Sequence, residues 1–346
     1  VTATVAVAGA GRMGQGIAAA LGFGKVEVTV VDLRDRGAAT EAYLAAAQAE
    51  IRLSLERKVR LGLLAEADLP AVLDRIRLVG RDAAPDAMAA AGLVFEAVPE
   101  VLEVKRTALS WIESAAGRDT PIASTTSSFL VSRLAEFVAR PQRLLNAHWL
   151  NPADLMPLVE VSPGAATAPA VVEATCELLS AVGKTPVVCA ASPGYIVPRL
   201  QALVMNEAVR MVEEGVAGAA EIDRAVRIGF GSRFAVLGLL EFIDWGGCDT
   251  LFHASNYLRD ELGERFAPAS LVEQKMAAGR RGATDGDFYD IADTARDDYR
   301  AQRIADFAQV LDATGQLHRY DDLPRHNGRA AAGVLSARPT GEPQNR

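Results

Sequence analysis

Cysteine is scarce: Cys176, Cys189 and Cys248 are the three in 346 residues, far apart and with no Cys-x-x-Cys spacing. That leaves no thiolate metal site and no disulfide redox pair, and it fits a reducing compartment. Long apolar runs are missing too. The longest uncharged run, Thr185 to Pro198, has 14 residues and contains three prolines and a glycine, short of the ~18–20 apolar residues a membrane-spanning helix needs. Basic charge is not in excess, since 36 Lys and Arg stand against 44 Asp and Glu, a formal net charge of −8. The mean field repels phosphate backbones and anionic lipid headgroups, so neither nucleic acid nor a membrane is an expected partner. Val1 to Gly11 holds no basic segment followed by an apolar stretch and runs straight into a glycine motif. No secretion signal is read there, and the cytosol is the expected compartment.

What is present is globular: 50% hydrophobic and 23% charged residues, in a chain long enough for two cores. The first part alternates short β-branched runs with longer helical stretches, the period of an α/β, Rossmann-type doubly wound sheet of parallel strands. Strands are expected at Thr4 to Ala8, Glu27 to Val31, Ile76 to Val79, Leu93 to Val98, Pro121 to Ser124, Leu144 to Trp149, Pro157 to Val161 and Thr185 to Ala190. The stretch from Ala38 to Leu64 is longer than one sheet-covering helix needs and is expected to project as a helical arm. From Gly194 the strand signals vanish, and Tyr195 to Glu214, Ala219 to Ile228, Leu237 to Ile243 and Asp249 to Leu262 carry apolar residues at helical spacing. This predicts an α/β domain over 1–190, a smaller all-α domain over 191–312 and a C-terminal extension over 313–346, flexible at its end.

Gly9, Gly11 and Gly14 form G-x-G-x-x-G between the apolar Val5 to Ala8 and the helical Ile17 to Leu21, the setting in which this motif binds a dinucleotide. Gly9 makes the tight turn, Gly11 lets the backbone approach a pyrophosphate, and Gly14 lets helix and strand pack closely. Asp32 follows 18 residues after Gly14 at the end of the second strand, where a carboxylate accepts hydrogen bonds from the adenosine ribose and repels a 2′-phosphate. The expected cofactor is NAD, contacted by Gly9, Gly11, Arg12, Met13, Gly14 and Asp32. Arg34 and Arg36 are near enough to soften the preference over NADP, although a solvated loop charge is their commoner role. A second cluster places His148 and Glu160 on two successive strands, 12 residues apart. A carboxylate beside an imidazole fixes its tautomer and stabilises its protonated form, as a base taking an alcohol proton requires. A structural or solvated histidine is the alternative reading from spacing alone, and the one adopted for His253, His318 and His326.

Beyond these two clusters, the chain carries Val94-Phe95-Glu96-Ala97-Val98-Pro99-Glu100, Glu103-Val104-Lys105, Ala123 to Ser128, His148 to Pro152, Leu158-Val159-Glu160-Val161, Ser192 to Val197, Asn206-Glu207-Ala208 and Glu241 to Asp244 with Gly247 to Thr250. With the glycine loop, this ordered series resembles the 3-hydroxyacyl-CoA dehydrogenase family from Val5 to about Leu311. The resemblance implies NAD-dependent interconversion of an L-3-hydroxyacyl thioester and its 3-oxo form. It implies that His148 is the general base and Glu160 the carboxylate orienting it. Ser127 and Asn151 match polar groups near the substrate oxygen and nicotinamide, and Glu100 and Lys105 match positions facing the nicotinamide ribose. Ser127 alone would read as a capped helix start. Arg57, Lys58 and Arg60 lie where CoA-contacting basic residues tend to be, a solvated helix face being the equal alternative. Where the family typically has Gly-Phe-Ile-Val-Asn-Arg, this chain reads Gly194-Tyr195-Ile196-Val197-Pro198-Arg199, so Pro198 replaces a substrate-facing amide. Similar folds oxidise free hydroxy acids of the gulonate or carnitine kind, which makes a small free 3-hydroxy acid the alternative substrate; a non-catalytic NAD-binding protein is a third reading. Phe230, Phe234, Leu237, Leu239, Leu240 and Phe242 exceed what a small helical domain buries, and the resembled family dimerises through this domain, so a homodimer is expected.

Overall fold

The computed structural model describes residues 4–280, 288–289, 295–317 and 319. They fall into two compact units, one extending to Glu207 and one beginning at Ala208. The expected C-terminal extension lies, apart from 313–317 and 319, outside the described residues, as do His318 and His326. Among the described residues, no helix is long and apolar enough to cross a membrane.

In the first unit all eight expected strands form: β1 (Thr4–Ala8), β2 (Glu27–Asp32), β3 (Ile76–Gly80), β4 (Leu93–Glu96), β5 (Ile122–Ser124), β6 (Leu144–Trp149), β7 (Leu158–Pro163) and β8 (Thr185–Val188). They make one sheet in the order β3-β2-β1-β4-β5-β6-β7-β8, with helices α1 (Arg12–Phe23), α2 (Thr40–Arg60), α3 (Leu69–Asp74), α4 (Pro85–Ala90), α5 (Leu102–Ala115), α6 (Val131–Ala135) and α7 (Pro169–Ala181) between strands. The central β1 is apolar at every position after Thr4 because both its faces are covered. Val5 and Val7 pack with Ile17, Leu21, Ile51 and Leu55, while Ala6 and Ala8 meet Met88, Leu109 and Ile112.

The sheet departs from a wholly parallel one at a single junction. β6 and β7 pair antiparallel, and β8 runs parallel to β7. A parallel return needs a crossover of a dozen or more residues, and the connection over 150–157 is too short for one. The reversal sets His148 directly opposite Glu160 in the register.

The expected arm is not a projection. α2 buries Ala47, Ile51, Leu55 and Lys58, and it packs against α1. Those four positions repeat at helical spacing and make one inward stripe, so its length serves the same core rather than a separate limb.

The first unit continues past the composition shift near residue 191 into α8 (Val197–Glu213). The hydrogen bonds that Tyr195, Ile196 and Val197 give to Thr126 and Glu160 hold this segment to the sheet. The second unit is helical. α9 (Ala219–Ala225) passes through a π-helical turn (Val226–Gly231) into the short α10 (Ser232–Phe234), followed by α11 (Leu239–Gly246), α12 (Cys248–Leu262), α13 (Ser270–Ala277) and α14 (Arg296–Ala313). α14 joins α11 through the Arg303–Glu241 ion pair at 3.0 Å, the Tyr299 hydroxyl on Glu241, and Trp245 edge-on to Tyr299 and Phe307.

Candidate active site

A cleft of about 820 Å³ opens where β1, β2 and β4 end, lined by the glycine loop from Gly9 to Met13, Asp32, Arg34, Arg36, Tyr43, Arg81, Ala97 to Glu100, part of α5 and Ser127. Gly9 has φ +129°, and a Cβ there would lie 2.4 Å from the Ala97 carbonyl oxygen. A Cβ on Gly14 would come within 1.9 Å of the Gly9 carbonyl oxygen, so both positions require glycine. A Cβ on Gly11 would meet nothing. Gly11 is open on the cleft side and caps α1 without a side-chain hydrogen bond. These features fit a dinucleotide: the loop is closed where it must pack, open where phosphate must approach, and followed by a helix N-terminus.

At the end where adenosine is expected, the tip of β2 presents Asp32, which is buried. Its carboxylate is engaged: Arg36 reaches Oδ2 through Nε and Oδ1 through a terminal nitrogen at 3.4 Å, and the Arg34 amide donates to Oδ1 at 3.4 Å. The Arg36 guanidinium also stacks on Tyr43, 3.4 Å from the ring centroid. Arg36 is therefore not a solvated loop charge. Its hydrogen bond to Asp32 raises its pKa above the ordinary arginine value against the opposing effect of burial.

On the opposite wall, Glu100 holds the turn after β5. Its Oε1 accepts from the Thr126 hydroxyl, the Ser127 and Ser128 amides at 3.1 and 2.9 Å, and the Ser128 hydroxyl at 2.7 Å. Burial pushes the Glu100 pKa up, but the Thr126 and Ser128 hydrogen bonds and the Lys105 charge outweigh it and leave it below the ordinary carboxylate value. Lys105 is fully buried. Its ammonium sits 3.1 Å from Glu96 and 3.3 Å from Glu100, and Glu96 also accepts from the Ser124 hydroxyl. Lys105 thus stands behind Glu100 rather than on the cleft wall, which corrects its expected place facing the cofactor ribose. A cation between two carboxylates has its charge satisfied inside the protein, and the wall is left to Glu100 and Ser127.

The β6–β7 register puts the His148 Nδ1 2.8 Å from Glu160 Oε2, with both side chains buried. The other carboxylate oxygen, Oε1, accepts two backbone N–H groups, from Ile196 and Val197, each at 2.8 Å. Both oxygens of Glu160 are thereby fixed. Tyr195, at φ +46°, stacks on the imidazole with ring centroids 4.9 Å apart and planes within 6°. Its hydroxyl donates to the Thr126 carbonyl at 2.7 Å and accepts from Asn146 Nδ2 at 3.1 Å. Tyr195 therefore touches the histidine and the Ser127 turn together. Burial pushes the tyrosine hydroxyl well above its ordinary range, so it stays protonated.

Of the residues expected at the site, Gly9, Gly11, Arg12, Met13, Asp32, Glu100 and Ser127 line one cleft, with Gly14 packed beneath it. His148 and Glu160 meet on the neighbouring strands, and Asn151 lies exposed on the loop that follows β6. Pro198 sits in the first turn of α8, where a missing N–H is tolerated. Arg57 and Arg60 are exposed near the end of α2. Lys58 is not: its ammonium is buried and donates to the Asp154 carbonyl at 2.7 Å. Burial lowers its pKa, with Asp154 opposing. Lys58 falls on the inward stripe of α2, so it is withdrawn from the expected phosphate-contacting set. The sequence reading missed Tyr195 as a wall of the His148 ring and Glu96 as the anchor behind Lys105. Gly194 before Tyr195 hinted at a tight turn, but nothing local tied that turn to His148.

Comparison with known proteins agrees with this geometry. The profile of the 3-hydroxyacyl-CoA dehydrogenase NAD binding domain matches residues 4–192, and that of the 3-hydroxyacyl-CoA dehydrogenase C-terminal domain matches residues 194–291. A 3-hydroxybutyryl-CoA dehydrogenase of Bradyrhizobium diazoefficiens is 33% identical over 83% of this chain and 94% of its own length. A 5-formyl-3-hydroxy-2-methylpyridine 4-carboxylate 5-dehydrogenase of Mesorhizobium japonicum is 32% identical over 82% and 88% respectively. The crystal structure of a 3-hydroxyacyl-CoA dehydrogenase from Archaeoglobus fulgidus superposes with a TM-score of 0.73 at 30% identity, covering 91% of this chain and all of that one. With both halves matched and the dinucleotide cleft and imidazole–carboxylate pair in place, the chain belongs to the 3-hydroxyacyl-CoA dehydrogenase family and is an NAD-dependent oxidoreductase acting on a CH–OH group.

Proposed function

We propose that the chain interconverts a short-chain L-3-hydroxyacyl thioester, of the 3-hydroxyacyl-CoA type, and its 3-oxoacyl form, with His148 as the general base and Glu160 as the group that orients it. The observation that carries this reading is the 2.8 Å contact of His148 Nδ1 with a carboxylate whose second oxygen is held by two backbone amides. A carboxylate on Nδ1 keeps the proton there and leaves Nε2 as the acceptor, so Nε2 takes the substrate hydroxyl proton while Glu160 stabilises the resulting imidazolium. Bound NAD supplies the hydride-accepting chemistry. Gly9, Gly11, Arg12, Met13, Gly14 and Asp32 hold it, with Glu100 on the opposite wall. Ser127 and Asn151 supply polar contacts to the substrate oxygen and nicotinamide.

A second reading, oxidation of a small free acid, is favoured by two observations. Lys58 is buried, which leaves Arg57 and Arg60 as the exposed basic residues of the three on α2, and Pro198 offers the substrate carbonyl no side-chain donor. The relative from Mesorhizobium japonicum is named for a free pyridine carboxylate. Initial rates of NAD reduction with a panel of 3-hydroxyacyl-CoA thioesters and the matching free acids separate the two. The thioester reading expects higher kcat/KM on CoA esters and fails if the free acids are the better substrates.

The partner in this reading is a second copy of the chain. Phe230, Leu239 and Leu240 of the helical unit are exposed, and light scattering at micromolar concentration should give twice the chain mass. The cysteine pattern supports a cytosolic setting, with none of Cys176, Cys189 and Cys248 in a disulfide.

A further inference from the structure

Outside the base and the cofactor cleft, two buried ammonium groups converge on the loop that links β6 to β7. Lys184, just before β8, donates to the Ala153 carbonyl and to the Met156 carbonyl, each at 2.8 Å. Lys58, on α2, donates to the carbonyl of Asp154 between them. Ser54, one turn earlier on α2, donates to Asp154 Oδ2 at 2.6 Å. From below, α1 leaves no room: a Cβ on Gly16 would sit 3.2 Å from the Ala153 Cβ. The loop therefore is gripped by α1, α2 and the start of β8, and its own turn closes with Leu155 and Met156 amides on the Pro152 carbonyl at 3.1 and 2.9 Å.

Both lysines are nearly inaccessible, at 5% and 8% exposure. Burying two like charges near one another is unfavourable. Desolvation and the Lys58 charge push Lys184 down to about 8, with Asp154 only partly opposing. Apolar side chains in these places would avoid that cost but would leave the Ala153, Asp154 and Met156 carbonyls without these donors. What the arrangement secures is shape, because a single ammonium meeting two carbonyls fixes the path of the chain between them. The loop begins two residues after His148 and carries Asn151, and Lys184 also lies over the ring of Trp149, 5.4 Å from its centroid.

We propose that Lys58 and Lys184 are positioning residues that clamp the 151–156 loop and thereby hold Asn151 in register with His148 for substrate. This rests on the reading of His148 and Asn151 given above.

The test combines hydrogen–deuterium exchange of the peptide spanning 150–157 with steady-state kinetics on 3-hydroxybutyryl-CoA and NADH titration, for wild type, Lys184→Met, Lys58→Met and Lys184→Arg. Removing either ammonium should speed exchange of that peptide about ten-fold or more while the β1 and β6 peptides keep their protection. It should lower kcat/KM for the thioester by ~10–100-fold, the scale of a misplaced substrate contact, with NADH affinity within about two-fold of wild type. Lys184→Arg, which keeps the charge and the donors, should recover part of both losses. Unchanged exchange in both methionine variants overturns the clamp. Faster exchange confined to the loop with unaltered kcat and KM overturns its link to the substrate. A melting temperature and NADH affinity that collapse in Lys184→Met would show a general folding role and also overturn it, with Lys58→Met as the independent second arm. If the wild type turns over no thioester, the substrate reading fails and the kinetics move to the free acid it does oxidise, while the exchange result still decides the clamp.

Discussion

Two carboxylates at the carboxyl-end rim of the sheet each hold a basic partner, and they hold it in different ways. Glu160 is wholly enclosed, gives one oxygen to His148 and the other to two backbone amides, and has Tyr195 fixing the ring from one face. Asp32 is held by Arg36, a side chain 22% exposed on a surface loop and stacked on Tyr43. The first arrangement is enclosed on both carboxylate oxygens, as suits the base proposed for His148, which must present one nitrogen in one direction. The second has a partly exposed partner, which the proposed function requires to yield the carboxylate to the ribose hydroxyls. In the function proposed above, the fixed pair serves chemistry and the displaceable pair serves binding.

The largest test of that contrast falls on the fixed side. His148→Gln should lower kcat by ~100–10,000-fold, the usual worth of a positioned base, while NADH affinity by fluorescence titration stays near wild type. Glu160→Gln should lower it less, since the amide still orients the ring but lacks the charge that steadies the imidazolium. Near-wild-type turnover in both would remove the base from the mechanism.

On the displaceable side, Asp32→Ala should weaken NAD by ~1.5–3 kcal/mol, the range for hydrogen bonds to a charged acceptor, and should narrow the gap to NADP because Arg36 is released toward a 2′-phosphate. Isothermal titration with both cofactors reads this. A wild type preferring NADP would contradict the role given to Asp32.

A smaller change is expected at Pro198, where Pro198→Asn restores a donor. It should raise acetoacetyl-CoA turnover several-fold, on the order of one hydrogen bond, and alter NAD affinity less; identical kcat and KM in the two proteins would take this position out of the substrate site.

The smallest effect concerns Glu100, whose carboxyl is held below its ordinary range despite partial desolvation. A carboxylate depressed on folding contributes stability above its unfolded pKa and loses it as pH falls through the folded value. Urea midpoints of wild type and Glu100→Gln, measured from about pH 6 down to pH 3, should converge as the solution becomes acid. A constant difference would mean the Glu100 hydrogen bonds do not depend on its charge.

Much of the sheet was readable because each strand is a short apolar run bounded by turn residues, and because Gly9 and Gly14 sit where a Cβ would collide with backbone. The direction of β7 and β8 was less legible. Apolar runs look alike whichever way they point, and only the short 150–157 link argues for reversal. Arg57, Lys58 and Arg60 look equivalent as three basic residues in four positions. Their fates diverge because the inward stripe of α2 at 47, 51, 55 and 58 carries Lys58 with it. Lys184 gave no signal at all, since its partners are backbone carbonyls some thirty residues away.

By itself, then, the sequence determined what depends on spacing and local sterics: the alternation of strands and helices, the glycines of the dinucleotide loop, Asp32 at the end of β2, and the family. Tertiary structure decided what depends on which groups meet. It brought His148 opposite Glu160, laid Tyr195 on the imidazole, gave Asp32 to Arg36, placed Lys105 behind Glu100 and turned Lys58 inward. The division has a simple physical cause: periodicity and steric exclusion act over a few neighbouring residues, whereas burial and pairing of a charge are set by whatever the fold carries to it from elsewhere in the chain.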